Sequence, residues 1–323
     1  MRFAFAGTPE FGAHVLRDLL DRGVRPVLVV SQPDRPAGRG RRLVSPAVTA
    51  AARQNDLPVL QTADINTSDV QAALVDARVE CLVVASFGQL LRSDILAAFF
   101  CLNVHASLLP AYRGAAPIVR ALMAGETEIG VSLMRMTAGL DEGPWALQRR
   151  LSVTRRDDAG TVGRALALLG ALGVAEVFES MAEGEISWTD QTGGTTYAAK
   201  VGSADRVFDP RLNTRRLHDR VRALSPDIGC EARSSGGLAL KIWRTWPRET
   251  TPPGNEPPQP RPGRVTREKG RLFVDCCDGA LELVTVQPAG KRPMRASELL
   301  RGYESRLGES LELPPEGGWE RQS

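Results

Sequence analysis

Residues 3–20 read FAFAGTPEFGAHVLRDLL. Phe3-Ala4-Phe5-Ala6 is a short apolar run that stops at Gly7, and Phe11, Val15, Leu16, Leu19 and Leu20 then recur at the spacing of one helical face. The pattern predicts strand, turn, helix. Further along, apolar runs at 27–30, 82–85 and 101–104 predict strands, with helix-like segments at 46–54, 67–76 and 115–123. Strands alternating with helices predict an α/β fold with a mainly parallel sheet, and ligands in such sheets lie beyond the carboxyl ends of the strands. Residues 129–136 and 147–153 read as two more strands, and 161–181 as a long helix rich in Ala and Leu that closes a first domain at 1–190. The first turn, Gly7-Thr8-Pro9-Glu10-Phe11-Gly12, lacks the G-x-G-x-x-G phosphate fingerprint, and the chain carries no P-loop. This argues against a nucleotide-dependent oxidoreductase.

Beyond Gln191-Thr192-Gly193-Gly194 the pattern changes. Residues 191–205 read as a linker, and 206–310 as a smaller β-rich domain with a helix near 216–224 and strands at 238–244, 271–276 and 280–286. The segment 247–263 is dense in proline and reads as an extended loop, and 311–323 as a tail. The net charge of +3 conceals a division along the chain. Residues 206–309 hold 20 Lys+Arg against 13 Asp+Glu, a net +7, while 1–205 hold 20 against 22, a net −2. Within that first part, residues 31–46 (SQPDRPAGRGRRLVSP) carry Arg35, Arg39, Arg41 and Arg42 against one aspartate. Two basic features point to a polyanionic partner. Glycines 38 and 40 with prolines 33 and 36 predict that this arginine segment has no regular structure.

Five scattered cysteines without C-x-x-C spacing read as buried thiols in a reducing compartment, and three histidines without ligand spacing predict no metal. The apolar stretch 165–178 is too short to span a membrane and is interrupted by Gly170 and Gly173. The opening residues carry no export-signal pattern, so the expectation is a cytoplasmic monomer with no membrane partner.

Asn103 and His105 flank Val104 at the end of a predicted strand, where a period of two puts both polar side chains on one face. Taken alone, such a pair also suits a hydrogen-bonded structural histidine. The neighbouring segments tip the balance toward chemistry: Ser107-Leu108-Leu109-Pro110 and Arg113-Gly114-Ala115-Ala116-Pro117 form a turn-rich loop able to wrap a ligand, and Gly139-Leu140-Asp141-Glu142-Gly143 sets a carboxylate between two glycines. After the strand at 82–85 comes Ser86-Phe87-Gly88-Gln89-Leu90, at the same edge of the sheet.

These motifs, in this order, resemble the active-site signature of the 10-formyltetrahydrofolate-dependent formyltransferases. Among that superfamily's branches, Phe5-Ala6-Gly7-Thr8-Pro9-Glu10-Phe11, residues 32–40 (QPDRPAGRG) and Val286-Gln287-Pro288-Ala289-Gly290-Lys291 are most similar to the methionyl-tRNA formyltransferases. The resemblance implies a Rossmann-like formyltransferase core followed by an open β-barrel of oligonucleotide-binding type. It implies 10-formyltetrahydrofolate as cosubstrate, charged initiator tRNA as acceptor, and Asn103, His105 and Asp141 as the catalytic residues. Asn103 would stabilise an oxyanion, and His105 would act either as a general base or, as imidazolium, on the oxyanion and leaving group. Asp141 would orient the histidine or a water. Folate contacts would come from Phe87, Gly88, Gln89, Leu90, Ser107, Leu108, Leu109 and Pro110, with Leu109-Pro110 a candidate cis bond. Contacts to tRNA would come from Arg35, Arg39, Arg41 and Arg42, Arg39 foremost. Ser86-Phe87 stands where many relatives show Ala-Tyr, so a tyrosine hydroxyl is not expected there. The alternatives are another formyltransferase or hydrolase of the superfamily, or a non-catalytic RNA-binding relative.

Overall fold

The computed structural model describes residues 1–37, 42–248 and 259–313. The chain divides into two compact units, the first made of Met1–Ile118, Glu128–Val153 and Val162–Lys200, the second of Val119–Thr127, Thr154–Thr161 and Val201–Ser323.

In chain order the elements up to residue 198 are β1 (Phe3–Gly7), α1 (Glu10–Asp21), β2 (Leu28–Ser31), β3 (Arg35–Ala37), β4 (Arg42–Val44), α2 (Ala47–Gln54), β5 (Val59–Gln61), α3 (Ser68–Asp76), β6 (Cys81–Ala85), α4 (Ser93–Ala98), β7 (Phe100–His105), β8 (Arg113–Gly114), α5 (Pro117–Ala124), β9 (Glu128–Arg135), β10 (Trp145–Ser152), α6 (Ala159–Glu183) and β11 (Tyr197–Ala198). The main sheet of the first unit runs β10-β9-β7-β6-β1-β2-β5. Strands β5, β2, β1, β6 and β7 are parallel, and β9 lies antiparallel to both β7 and β10. Every residue of β1 and β6 is buried, as an unbroken apolar run requires when both faces of a parallel strand are covered. At the start of α1, Gly12 lets the helix approach β6: a Cβ there would stand 2.6 Å from the Ala85 carbonyl oxygen.

Helix α6 is longer than the apolar stretch suggests, 25 residues, with a mean hydropathy of 1.6 over its most apolar window, so by length and composition alone it could cross a membrane. Its glycines explain its place in the first unit. A Cβ on Gly170 would lie 2.5 Å from Val104 of β7, and one on Gly173 2.6 Å from Leu133 of β9, so these residues let the helix backbone press onto the sheet. The arginine segment also departs from expectation. Arg35–Ala37 and Arg42–Val44 pair antiparallel as a hairpin, because Pro36 removes no needed ladder donor at the edge of a two-stranded pair.

The second unit continues with α7 (Thr214–Ala223), β12 (Cys230–Ser234), β13 (Ala239–Pro247), β14 (Val265–Glu268), β15 (Arg271–Asp275), β16 (Ala280–Pro288), β17 (Met294–Arg295), α8 (Ala296–Leu307) and β18 (Leu311–Glu312). The antiparallel path β14-β15-β16-β13-β12-β18 curls into a barrel whose two ends touch at the isolated bridge Arg264↔Ser310. Leu217 and Val221 of α7 and Leu299 of α8 fill it against Ile242, Leu272 and Leu283. The Asn213 side chain caps α7 by accepting from the Arg216 N–H at 2.8 Å, worth about 1 kcal/mol. Leu311 and Glu312 pair with Ser234 and Arg233, so the sheet reaches into the stretch that reads as a tail. Most of the proline-rich segment, 249–258, lies outside the described residues.

His218 of α7 is buried between the Thr245 hydroxyl, 3.0 Å from Nδ1, and the Arg155 carbonyl, 2.9 Å from Nε2. A carbonyl only accepts, so Nε2 carries hydrogen and the neutral ring suits both partners. Burial holds its pKa below the ordinary histidine value. The unfolded chain therefore takes up a proton first, and the stability this residue contributes is intact above about pH 6.5 and lost as pH falls through the folded pKa. Denaturant midpoints between pH 7.5 and 5 should fall more steeply for the parent chain than for His218→Gln; parallel slopes would contradict the assignment.

Candidate active site

Strand β7 delivers Asn103 and His105 to its carboxyl end, both buried. Val104, between them, faces α6. The opposing group arrives from the loop between β9 and β10, where Asp141 takes φ +51°, a left-handed conformation uncommon for a residue other than glycine. Its Oδ1 accepts from Asn103 Nδ2 at 3.2 Å, its Oδ2 accepts the Gly114 N–H at 2.8 Å, and the same Oδ2 stands 3.6 Å from His105 Nδ1. The other ring nitrogen of His105 lies 3.0 Å from the Tyr112 carbonyl oxygen. Nε2 must therefore be the protonated nitrogen, which leaves Nδ1 turned to the carboxylate. Three residues separated by as many as 38 positions thus form one contact group.

The 107–110 loop is held from below. Ser107 Oγ donates to the Ala111 carbonyl at 2.6 Å, while Ser132 Oγ donates to the Ser107 carbonyl at 2.7 Å and accepts the Leu109 N–H at 3.1 Å. Gln148 adds a donor to the Leu109 carbonyl at 2.9 Å, and the Leu109-Pro110 peptide is cis. Leu108 sits over Gly130, where a Cβ would be 2.3 Å from its Cδ2. The side chains of Ser107 and Leu109 face inward, so of the four residues only Leu108 and Pro110 are partly exposed. Sequence reading missed Ser132, Gln148 and Gly130. The one signal was a serine inside the apolar strand IGVSLM.

The 86–90 loop is a set of struts. Phe87 is buried, and its carbonyl accepts from Thr8 Oγ1 at 2.8 Å and from Gln32 Nε2 at 2.9 Å. Gln89 accepts the Ile65 N–H at 2.7 Å and donates to the Thr62 carbonyl at 3.0 Å. Gly88 has φ +79° and a Cβ there would meet Gln32 at 2.9 Å; Leu90 is exposed. Arg35, exposed on β3, donates to Gln32 Oε1, which ties the hairpin to this loop. Arg42 is exposed on β4, and Arg39 and Arg41 lie outside the described residues.

Among the described residues no three His, Cys, Asp or Glu side chains gather as metal ligands would. Cys81, Cys101, Cys230 and Cys276 are buried, and burial pushes the Cys101, Cys230 and Cys276 thiols up to about 12.

Comparison with known proteins agrees with this layout. The formyl transferase family model matches residues 1–177, and that of the formyl transferase C-terminal domain matches 200–304. The methionyl-tRNA formyltransferase of Rubrobacter xylanophilus is 47% identical over 94% of this chain and 97% of its own length, and that of Nitrosospira multiformis 36% identical over 94% and 96%. Among solved structures, HypX from Aquifex aeolicus in complex with tetrahydrofolic acid superposes with a TM-score of 0.64 at 15% identity over 100% of this chain, which spans 50% of that one; this likeness concerns the fold. With two family models covering both units and full-length relatives well above 30% identity, the chain belongs to the methionyl-tRNA formyltransferase family.

Proposed function

We propose that this chain transfers the formyl group of 10-formyltetrahydrofolate to the free amino group of methionyl-tRNA, with initiator tRNA as acceptor, and acts as a cytoplasmic monomer. The observation that carries the reading is the contact group of Asn103, His105 and Asp141 at the end of β7, in a chain whose full-length relatives bear that name. The amine nitrogen attacks the formyl carbon, whose oxygen becomes negative. Asn103 gives one N–H to Asp141 and has a second to offer that oxygen, a role worth about 10²–10³ in rate for donors of this type. His105 keeps Nε2 on the Tyr112 carbonyl and exchanges a proton at Nδ1. It takes the proton from the amine and delivers it to the folate nitrogen as the carbon–nitrogen bond breaks, and Asp141 stabilises the transient imidazolium. Folate lies against the 86–90 and 107–110 loops, where Leu90, Leu108 and Pro110 offer contact surface and the other side chains hold the backbone in place.

The tRNA end of the reading rests on charge: the net +7 of residues 206–309 and the arginines of 31–46 suit a polyanion. An arginine contacting phosphate weakens all tRNAs alike, whereas one reading the end of the acceptor stem alters discrimination. Arg39→Ala should therefore lower kcat/KM for initiator more than for elongator methionyl-tRNA, and Arg42→Ala should lower both evenly. Parallel steady-state assays at two salt concentrations decide this. Equal losses for Arg39 would make it a phosphate contact, and no loss for any of the four arginines would remove the segment from the tRNA interface.

A further inference from the structure

Asp141 holds a left-handed backbone conformation, φ +51°, and its loop is bound by groups from outside it. One side chain reaches two carbonyls of that loop. Gln191 Nε2 donates to the carbonyls of Asp141 and Gly143, each at 2.8 Å, while its Oε1 accepts from Arg113 Nε at 3.0 Å and Nη2 at 2.8 Å. Both amide hydrogens and both oxygen lone pairs are used, and Arg113 is itself buried. The chain around Gln191 grips the other supports of the site. Thr189 pairs with Trp145 through two backbone bonds of 3.0 and 2.8 Å. Thr196 takes the Tyr112 N–H on its hydroxyl at 2.8 Å and the Arg113 N–H on its carbonyl at 2.9 Å, and β11 pairs with β8. Tyr112 supplies the carbonyl facing His105, and Gly114 the N–H on Asp141. The segment that reads as a linker from residue 191 is thus a strap across the site.

We propose that Gln191 is a positioning residue for formyl transfer, acting through Asp141 by holding the 141–143 loop with its two amide hydrogens. The inference rests on the catalytic role proposed for Asp141. It is tested in the full chain with Gln191→Ala, Gln191→Glu, Asp141→Asn and the double variant Asp141→Asn/Gln191→Ala. Gln191→Ala should lower kcat by about 10-fold, a part of what the catalytic groups contribute, with KM for tRNA and folate changed less than about 2-fold. Gln191→Glu should lose as much, because a carboxylate keeps the Arg113 partner but offers no hydrogen to two carbonyls. In the Asp141→Asn background, removing Gln191 should cost less than about 2-fold further, since groups acting as one unit are not additive. Full multiplication of the two losses, or retained activity in Gln191→Glu, overturns the proposal, the latter by reducing Gln191 to an anchor for Arg113. If Gln191→Ala does not fold, Gln191→Glu carries the same test. Parental kcat in Gln191→Ala removes the clamp and leaves the reading of the site intact, whereas parental kcat in Asp141→Asn overturns that reading and the inference with it.

Discussion

His105→Ala should lower kcat on saturating charged tRNA by about 10² or more, with folate affinity little changed. The imidazole is fixed at Nε2 by the Tyr112 carbonyl at 3.0 Å, with Nδ1 3.6 Å from Asp141, so no neighbouring group replaces it without rearrangement. Asn103→Ala should lose a similar factor, since it removes the N–H meant for the developing oxyanion. Steady-state rates on initiator methionyl-tRNA, with folate binding measured separately, check both. More than about a third of the parental kcat in His105→Ala would be incompatible with a general-base role of the usual size.

Gly143→Ala should be nearly as damaging for a different reason. A Cβ at this position would lie 1.8 Å from the Arg135 carbonyl oxygen, a backbone atom at the end of β9 that also bounds the antiparallel pair with β10. Relief requires moving the loop that carries Asp141, at a stability cost of about 1–3 kcal/mol for overpacking of this kind and a further loss of alignment in kcat. Gly139→Ala is the milder comparison: its Cβ would meet the Glu142 side chain and no backbone atom among its nearest neighbours, so relief needs only a shift of that side chain and of its pair with Arg113. Unfolding midpoints and kcat for the two variants should separate clearly, and equal behaviour would mean that the loop is not held where the Gly143 contact fixes it.

The parts of this molecule visible in its sequence are those whose signals are local. Strands β1 and β6 are continuous apolar runs because both faces are covered, β7 is apolar up to Asn103, and α1 shows a clean apolar stripe. The edge strand β5 is three half-buried residues, too short for a period to emerge. The hairpin β3/β4 was hidden for the opposite reason: Arg35, Pro36, Arg42 and Leu43 are exposed, so burial imprints no alternation. Helix α8, ASELLRGYESRL, combines Gly302 with few apolar positions, and its Glu298 capping bond to the Arg295 N–H at 2.9 Å becomes meaningful only once the barrel is known. At the site, Asn103 and His105 declared themselves by a spacing of two at a strand end, and Asp141 by flanking glycines. Gln191, 50 residues from the carbonyl it holds, carries no local pattern; a lone glutamine in a Gly-rich stretch gives no hint of its partners. Ser107 and Leu109 show the limit of motif reading, since the motif marks the loop while the structure turns those two side chains inward to support it.

The most direct test of formyl transfer by this chain is an assay with the purified protein, 10-formyltetrahydrofolate labelled in the formyl carbon, and methionyl-tRNA. Label should appear in formyl-methionyl-tRNA, with release of tetrahydrofolate in equal amount and transfer reduced about 10²-fold or more in His105→Ala. Folate release without label on the tRNA, or transfer unaffected by His105→Ala, would contradict the proposed mechanism.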